Sequence, residues 1–481
     1  MSIAIVWFRQ DLRLADNPAL RSALKNFDEI LPVFIQDARE GTVGQIGEAT
    51  RVWLHHSLLS LQASLNSAGS YLYLAEGDPV AVLPELAKSV KASGVYWNRS
   101  YDPITLERDK QVKKALAEFA PTSFLATLLF EPVKTLKADG TPYRVFTPYW
   151  KNLMNTLPGD APLPAPKKLP TPSVASLNKQ LKKHQRSMGV DELTLLPGLP
   201  WANTMMEGWK VGEKAAKKRL NRFLENDVRH YKDERDIPSV KGTSRMSPHL
   251  HFGEISPRQI VHATFGKRRD VMALNIGEET FVKEVVWREF AHNLIYQFPH
   301  TVNQPLDSRF KKFAWSKKYA KSLTAWQLGR TGVPIVDAGM RELYATGWMH
   351  NRVRMVVASY LIKNLLIPWQ EGERWFRNTL VDADVASNVM GWQWAAGCGA
   401  DAAPFFRIFN PVLQGEKFDP EGVYVKQWVP ELADVQHKFV HKPWELPPDA
   451  QHLINYPSPL VDLKLSRQTA LDAFAKIKIT G

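Results

Sequence analysis

Over the first 130 residues, short apolar runs alternate with helical patterns. Ile3–Phe8 is apolar at every position and predicts a buried strand, and Ile30–Ile35 predicts a second. Between them Asn17-Pro18 supplies an N-cap and a first-turn proline for a helix over Ala19–Lys25. Leu54, Leu58, Leu61 and Leu65 recur at i, i+4, i+7 and i+11, so Glu48–Ser67 predicts a helix with one apolar face. Tyr71–Leu74 and Gly94–Trp97 read as further strands, with Asp78-Pro79 opening a helix between them. Strands alternating with helices imply a parallel, doubly wound sheet. No G-x-G-x-x-G follows the first strand and no phosphate-binding P-loop occurs, so this domain is not expected to hold a nucleotide in the Rossmann manner.

Six prolines, Pro158, Pro162, Pro164, Pro166, Pro170 and Pro172, stud the stretch from Thr156 to Ser173. Such a segment predicts an extended connector. From Gly212 onward the pattern is helical, without alternating strands. The expected organisation is an α/β domain over 1–130, a linker over 131–204 and a large all-α domain over 205–481.

Composition narrows the chemistry. One cysteine, Cys398, excludes an intrachain disulfide scaffold, a cysteine-based zinc site and a cysteine-ligated iron–sulfur cluster. The N-terminus lacks a small-residue cleavage site, and the longest run free of charged residues, Val52 to Ala75, is too polar for a membrane span. A soluble protein of the cytoplasm is expected. The formal net charge of +13 makes a polyanionic partner plausible, although basic proteins are common. Four of the 16 Trp precede residue 200 and twelve follow it. Indoles fill cores, stack on bases or carry electrons, and composition does not choose among these.

Three segments carry candidate chemistry. Phe281, Glu284, Trp287 and Arg288 fall at i, i+3, i+6 and i+7, which predicts one helical stripe lining a cavity; a surface Glu284–Arg288 ion pair is the alternative. Trp348, Asn351, Arg352 and Met355 predict a second stripe, with Arg354 on a neighbouring face. It suits the wall of a pocket for a flat, polar-edged ligand, the alternative being a Met/Trp core stripe with solvated arginines. Asp382 and Asp384, with Asn388, Trp392 and Trp394 after them, can fix a hydroxyl or an arginine, or sit in a solvated turn. Thr243–Ser247 offers hydroxyls and N–H groups ahead of a helix expected near Pro248. No H-E-x-x-H or G-x-S-x-G pattern is present, so hydrolysis has little support.

The blocks WFRQDLRLADNPAL, TSRMSPHLHFGEISPRQ, WREF, GRTGVPIVDAGMRELYATGWMHNRVRM and DADVASNVMGWQWAAGCGADAAPFFRIFNP resemble those of the photolyase/cryptochrome flavoprotein family, in the family's order. The resemblance implies an antenna-binding α/β domain and a helical domain holding FAD. It puts Tyr231, Thr243, Ser244, Arg245, Met246 and Ser247 where the family binds FAD phosphates and ribityl. Phe281, Arg288, Trp348, Asn351, Arg354, Asp382, Ala383 and Asp384 fall around the rest of the cofactor, with Arg354 pairing Asp382 and Asn388 facing flavin N5. Phe281 stands where some relatives have Trp.

Trp287, Met355 and Asn388 match the pattern of cyclobutane pyrimidine dimer photolyases, whereas plant-type cryptochromes typically carry Tyr, Val and Asp there. The implied activity is light-driven electron transfer from reduced FAD to a dimer flipped out of UV-damaged DNA. Glu284 would hydrogen-bond the dimer carbonyls, Trp287 and Trp394 flank it, and Met355 pack on its rings. Arg235, Arg352 and Arg407 are the expected phosphate contacts. Trp392, Trp369 and Trp315 resemble the family's electron route to the surface, with Trp326 a rival for the last place. For the antenna, VDAGMREL and the WLHHSLLSL helix favour methenyltetrahydrofolate over a deazaflavin, and hint at a class III-like branch. A monomer with no obligatory protein partner is expected. The alternative within the family is a photoreceptor without repair activity, which the short stretch after Trp444 disfavours.

Overall fold

The structure is a computed structural model describing residues 1–37, 46–182, 187–198, 200–402 and 406–479. Two compact units emerge, each assembled from three stretches of chain. The first comprises Met1–Ala202, Trp209–Arg229 and Ser244–Pro299, and the second Asn203–Gly208, His230–Thr243 and His300–Gly481.

The first unit is built on a five-stranded sheet: β1 (Ile3–Phe8), β2 (Glu29–Gln36), β3 (Tyr73–Glu76), β4 (Gly94–Asn98) and β5 (Pro121–Phe124). The order is β3-β2-β1-β4-β5 and every pairing is parallel, so the sheet is doubly wound as expected. All six residues of β1 are buried. Asn17 caps the helix Pro18–Asn26 by accepting from the Leu20 N–H at 3.1 Å. The helix Glu48–Ser67 buries Leu54, Leu58, Leu61 and Leu65.

Two details differ from expectation. β3 begins at Tyr73 rather than Tyr71, since pairing with β2 starts at Val33↔Tyr73. β5 was not expected at all. Its four residues, PTSF, lack an apolar run and open with a proline, which is tolerated because the strand lies at the sheet edge and pairs only with β4.

Strand order reverses between β1 and β4, where open α/β sheets commonly bind ligands beyond the strand ends. Here that position is filled by charge. Arg9 Nη1 donates to both Asp109 oxygens at 2.8 Å, and the Arg9 and Arg108 guanidiniums lie 4.6 and 5.1 Å from the Trp7 ring. Such a crevice has no glycine-rich backbone to cradle a pyrophosphate.

Every element among the described residues of the second unit is a helix, joined by irregular connections. Its core gathers Trp326, Trp369, Trp392, Tyr360 and Phe376 with Val and Leu side chains. Among the described residues no helix is long and apolar enough to cross a membrane.

Candidate active site

In the first unit the helix Ile276–Gln297 carries the first stripe. It opens with a capping box: Asn275 accepts from the Glu278 N–H at 3.0 Å, while Glu278 accepts from the Asn275 N–H at 2.9 Å. Phe281 is buried against Phe223, with ring centroids 4.7 Å apart. Glu284, Trp287 and Arg288 are half-buried on one face. Trp287 lies flat on Phe146, centroids 3.7 Å apart and planes within 7°, so the indole is held as a rigid platform.

Arg288 is not the solvated surface ion of the alternative. Its side chain is 13% exposed, and Nη1 donates to the Thr127 carbonyl at 2.8 Å. Beside it Glu289, missed in the sequence, is fully enclosed and accepts from the Leu129 N–H at 2.8 Å and the Phe130 N–H at 3.4 Å. Burial pushes its carboxyl up to about 7, against the opposing pull of Arg288 and these N–H groups. Arg288 and Glu289 therefore fasten the 127–130 loop beside the stripe.

Ser244, Arg245, Met246 and Ser247 also belong to this unit. The helix they precede, Ser247–His251, is only five residues long, so its dipole adds little. The segment is shaped as a turn instead. Arg245 has φ 51°, and the Met246 N–H donates to Ser244 Oγ at 3.4 Å.

In the second unit the expected stripe over Trp348, Asn351, Arg352 and Met355 is corrected. Gly347, at φ 66°, ends the helix Pro334–Thr346, and a new helix begins only at Asn351. Trp348 is thus buried in the connection, while Asn351 is exposed at the first turn. The missed signal was a glycine just past a helical run. A Cβ at Gly347 would come within 2.6 Å of Met205 Sδ and 2.7 Å of Val381 Cγ1. Met355 and Arg354 are half-buried on the new helix.

Arg354 and Asp382 do pair. Arg354 donates through Nη1 and Nη2 to the two Asp382 oxygens at 3.1 and 2.9 Å, and through Nε to the Met349 carbonyl at 2.8 Å. After the half-buried Ala383, Asp384 caps the helix Val385–Ala396 through the Ser387 N–H at 2.9 Å. Among the described residues, no group of three or more His, Cys, Asp or Glu could hold a metal.

Asn388 and Trp392 lie one turn apart on that helix and face the helix Trp369–Thr379. Asn388 Nδ2 donates to the Glu373 carbonyl oxygen and to Glu373 Oε1, both at 3.0 Å. With both hydrogens engaged, the amide oxygen is the side-chain atom that remains to accept. Glu373 is itself buried and held by Arg377 at 2.8 Å, and burial pushes its carboxyl up despite that cation. In the sequence, Glu373 and Arg377 look like an ordinary i, i+4 surface pair, so nothing marked Glu373. Trp369 and Gly372 share its helical face, and a Cβ on Gly372 would come within 2.0 Å of the Trp392 ring.

Trp392 also meets Phe376 at 4.9 Å and the wholly buried Trp326 at 6.1 Å. Trp315 is half-buried, 4.4 Å from Phe313. Trp394 is half-buried, 6.4 Å from Phe409. Tyr231 is buried with the Arg235 guanidinium 5.5 Å from its ring, and Thr243 is half-buried. Arg352 Nη2 donates to Asp236 at 2.8 Å, and Arg407 is exposed.

A guanidinium pinned by three acceptors and an amide oriented by two suit a flat heteroaromatic group with hydrogen-bonding edges. Residues 281–476 match the family model for the FAD binding domain of DNA photolyase, and residues 4–168 match that for DNA photolyase. The chain belongs to the photolyase/cryptochrome family. Among its relatives in the family is a deoxyribodipyrimidine photo-lyase of Agrobacterium fabrum, 46% identical, the alignment covering 99% of this chain and 98% of that one. Cryptochrome-2 of Arabidopsis thaliana is 36% identical over 98% of this chain and 79% of its own length. The crystal structure of a bacterial class III photolyase from Agrobacterium tumefaciens superposes with a TM-score of 0.92 at 44% identity, covering 99% of this chain and 98% of that one. Photolyase/cryptochrome membership thus extends over essentially the whole chain.

Proposed function

We propose that this protein is a light-driven DNA-repair lyase that splits cyclobutane pyrimidine dimers in UV-damaged DNA with reduced FAD as cofactor. The observation that carries the reading is the set Trp287, Met355 and Asn388 on a chain matching a deoxyribodipyrimidine photo-lyase end to end. When bound and excited by blue light, reduced FAD would supply the electron that opens the cyclobutane ring and returns afterwards.

The chain's own residues do the rest. Glu284 takes the dimer through its carbonyls, and Trp287, stiffened by Phe146, stacks on it from one side while Trp394 flanks the other and Met355 packs on its rings. Tyr231, Thr243, Ser244, Arg245, Met246 and Ser247 hold the phosphate and ribityl part of FAD. Phe281, Arg288, Trp348, Asn351, Arg354, Asp382, Ala383 and Asp384 surround the remainder. Asn388, its amide hydrogens held by Glu373, would keep its oxygen to accept from the flavin at N5. Arg235, Arg352 and Arg407 contact phosphates, Arg352 exchanging Asp236 for DNA. A distorted dimer lowers the few kcal/mol needed to flip it out.

Trp392, Trp369 and Trp315 serve to reduce FAD. Half-burial gives Trp315 access to solvent, whereas Trp326 is sealed in the core, which favours Trp315 as the exit. In functional terms we assign antenna binding to 1–130, connection to 131–204, and FAD, DNA and catalysis to 205–481. The antenna is assigned as methenyltetrahydrofolate rather than a deazaflavin, on VDAGMREL and the helix bearing WLHHSLLSL. The protein works as a monomer on DNA in the cytoplasm.

The test is a defined thymine-dimer oligonucleotide under blue light, with photoreduced protein and a dark control. Light-dependent return of intact thymines, lost in Glu284→Ala and Trp287→Ala, is the expected result. Flavin photoreduction with the dimer left intact would replace this reading with the photoreceptor.

A further inference from the structure

The helix Asn351–Ser359 runs on into a single π turn, Tyr360–Asn364. Single π turns within helices are rare and frequent at functional sites. Here the turn buries a lysine: Lys363 is 2% exposed in an otherwise apolar core. An ammonium in such a place is disfavoured unless a partner compensates it. Its partner is a main-chain carbonyl. Lys363 Nζ donates to the Arg407 oxygen and sits 4.3 Å from the centre of the Phe406 ring.

One turn earlier, Ser359 Oγ accepts from the Phe409 N–H at 3.2 Å. Two side chains at i and i+4 therefore grip residues 407 and 409, in a segment that is neither helix nor strand. The Arg407 side chain is left exposed while its carbonyl is gripped, and Phe409 lies 6.4 Å from Trp394. On one side Phe406 stacks on Phe474 at 4.3 Å, and on the other Asn410 caps the helix Pro411–Phe418. Burial pulls the Lys363 amine down to about 7, with Arg407 adding to the pull and Cys398 opposing it. The amine keeps an N–H to donate in either charge state.

We propose that Lys363 is a positioning residue for DNA binding, fixing the Arg407 backbone from inside the core so that the Arg407 guanidinium meets a phosphate. This rests on the repair reading and deepens it. Lys363 touches no substrate in this account and acts only through Arg407.

The experiment measures binding of the FAD-loaded protein, in the dark, to a duplex with one thymine dimer across a range of salt. Lys363→Met is expected to weaken binding about tenfold and flatten the log–log salt slope by about 0.9, the signature of one lost phosphate. Arg407→Ala should do the same, and the double variant should bind within about twofold of either single one, because the two act as a unit. Lys363→Gln, which keeps a donor, should recover most of the loss, while flavin absorbance and photoreduction stay as in the parent.

Multiplying penalties, or an unchanged slope in Lys363→Met beside an altered one in Arg407→Ala, would overturn the proposal and leave the repair reading standing. An unchanged slope in Arg407→Ala overturns it too. Should Lys363→Met not fold, Ser359→Ala, which deletes one oxygen of the same grip, carries the test with the same non-additivity expected. Dimer repair by the parent protein in the same preparation judges the repair reading by itself.

Discussion

Both amide hydrogens of Asn388 are committed to Glu373, one to its carbonyl oxygen and one to its carboxylate, each at 3.0 Å. The carboxylate is the replaceable half of that clamp. Glu373→Ala should leave one Asn388 hydrogen buried without a partner and remove one acceptor from Arg377. A loss of about 1–3 kcal/mol in stability is expected from the unmet donor. On the proposed placement of Asn388 facing flavin N5, loosening the amide should make photoreduced protein reoxidise in air faster than the parent. Thermal melting and the return of oxidised-flavin absorbance check the two halves separately. Unchanged reoxidation would mean that Glu373 serves stability alone.

Gly372 tests how closely helix packing defines the Trp392 environment. Its missing Cβ is what lets the ring lie against the backbone, since a methyl there would stand 2.0 Å from Trp392 Cη2. Gly372→Ala should cost about 1–3 kcal/mol through overpacking and slow flavin photoreduction by displacing the indole. Gly391, exposed on the next helix, is the control, because a Cβ added there would meet no atom within 4 Å. Gly391→Ala should be neutral or stabilise by up to about 1 kcal/mol, because alanine restricts the unfolded chain. Urea denaturation of both variants measures the contrast.

The sheet was legible because β1 and β2 are continuous apolar runs and the first helices carry their own caps at Asn17 and Asp78. β5 escaped because an edge strand of four residues needs no apolar pattern. At the site, Trp287, Asn388 and Trp392 could be named from motif blocks, whereas Glu289, Lys363 and Glu373 could not. Glu289 and Glu373 sit among charged neighbours and Lys363 within the apolar run YLIKNLLI, and local sequence does not say which charged side chain the rest of the chain encloses. The broken stripe at Trp348 has a different cause. Helical spacing was extended across Gly347, whose left-handed backbone stops one helix before the next starts.

Glu289 gives a pH signature. Its carboxyl rises from the ordinary 4.5 to about 7 in the folded protein, chiefly through burial. Between those values the folded state binds the proton that the unfolded chain has released. The stabilisation is complete below about pH 4.5 and is lost as pH rises through about 7. Relative to Glu289→Gln, which does not titrate, the parent should therefore lose stability across that window and hold a constant difference above it, by a few kcal/mol at most. Melting temperatures of the pair at closely spaced pH values read this directly, and parallel curves would exclude Glu289 as the titrating group.

The proposed electron route from Trp392 has two candidate continuations, which tryptophan substitutions separate. Trp392 sits in the core with its Nε1 buried and, among the described residues, without a hydrogen-bond partner, 6.1 Å from Trp326 and on the helix facing Trp369. An electron hole on Trp392 can move toward either neighbour, but only a route that reaches solvent can release a proton or meet an external reductant. Trp326 is fully enclosed and its Nε1 donates to the Val357 carbonyl at 3.1 Å, so a hole there has no exit. Trp315 is half-buried and has one. Trp392→Phe should abolish most flavin photoreduction while leaving chemically reduced protein able to repair. Trp315→Phe should slow photoreduction strongly, and Trp326→Phe should leave it close to the parent rate. Blue-light bleaching of flavin absorbance with an added thiol measures all three, and the reverse ranking of Trp315 and Trp326 would move the exit to the core tryptophan.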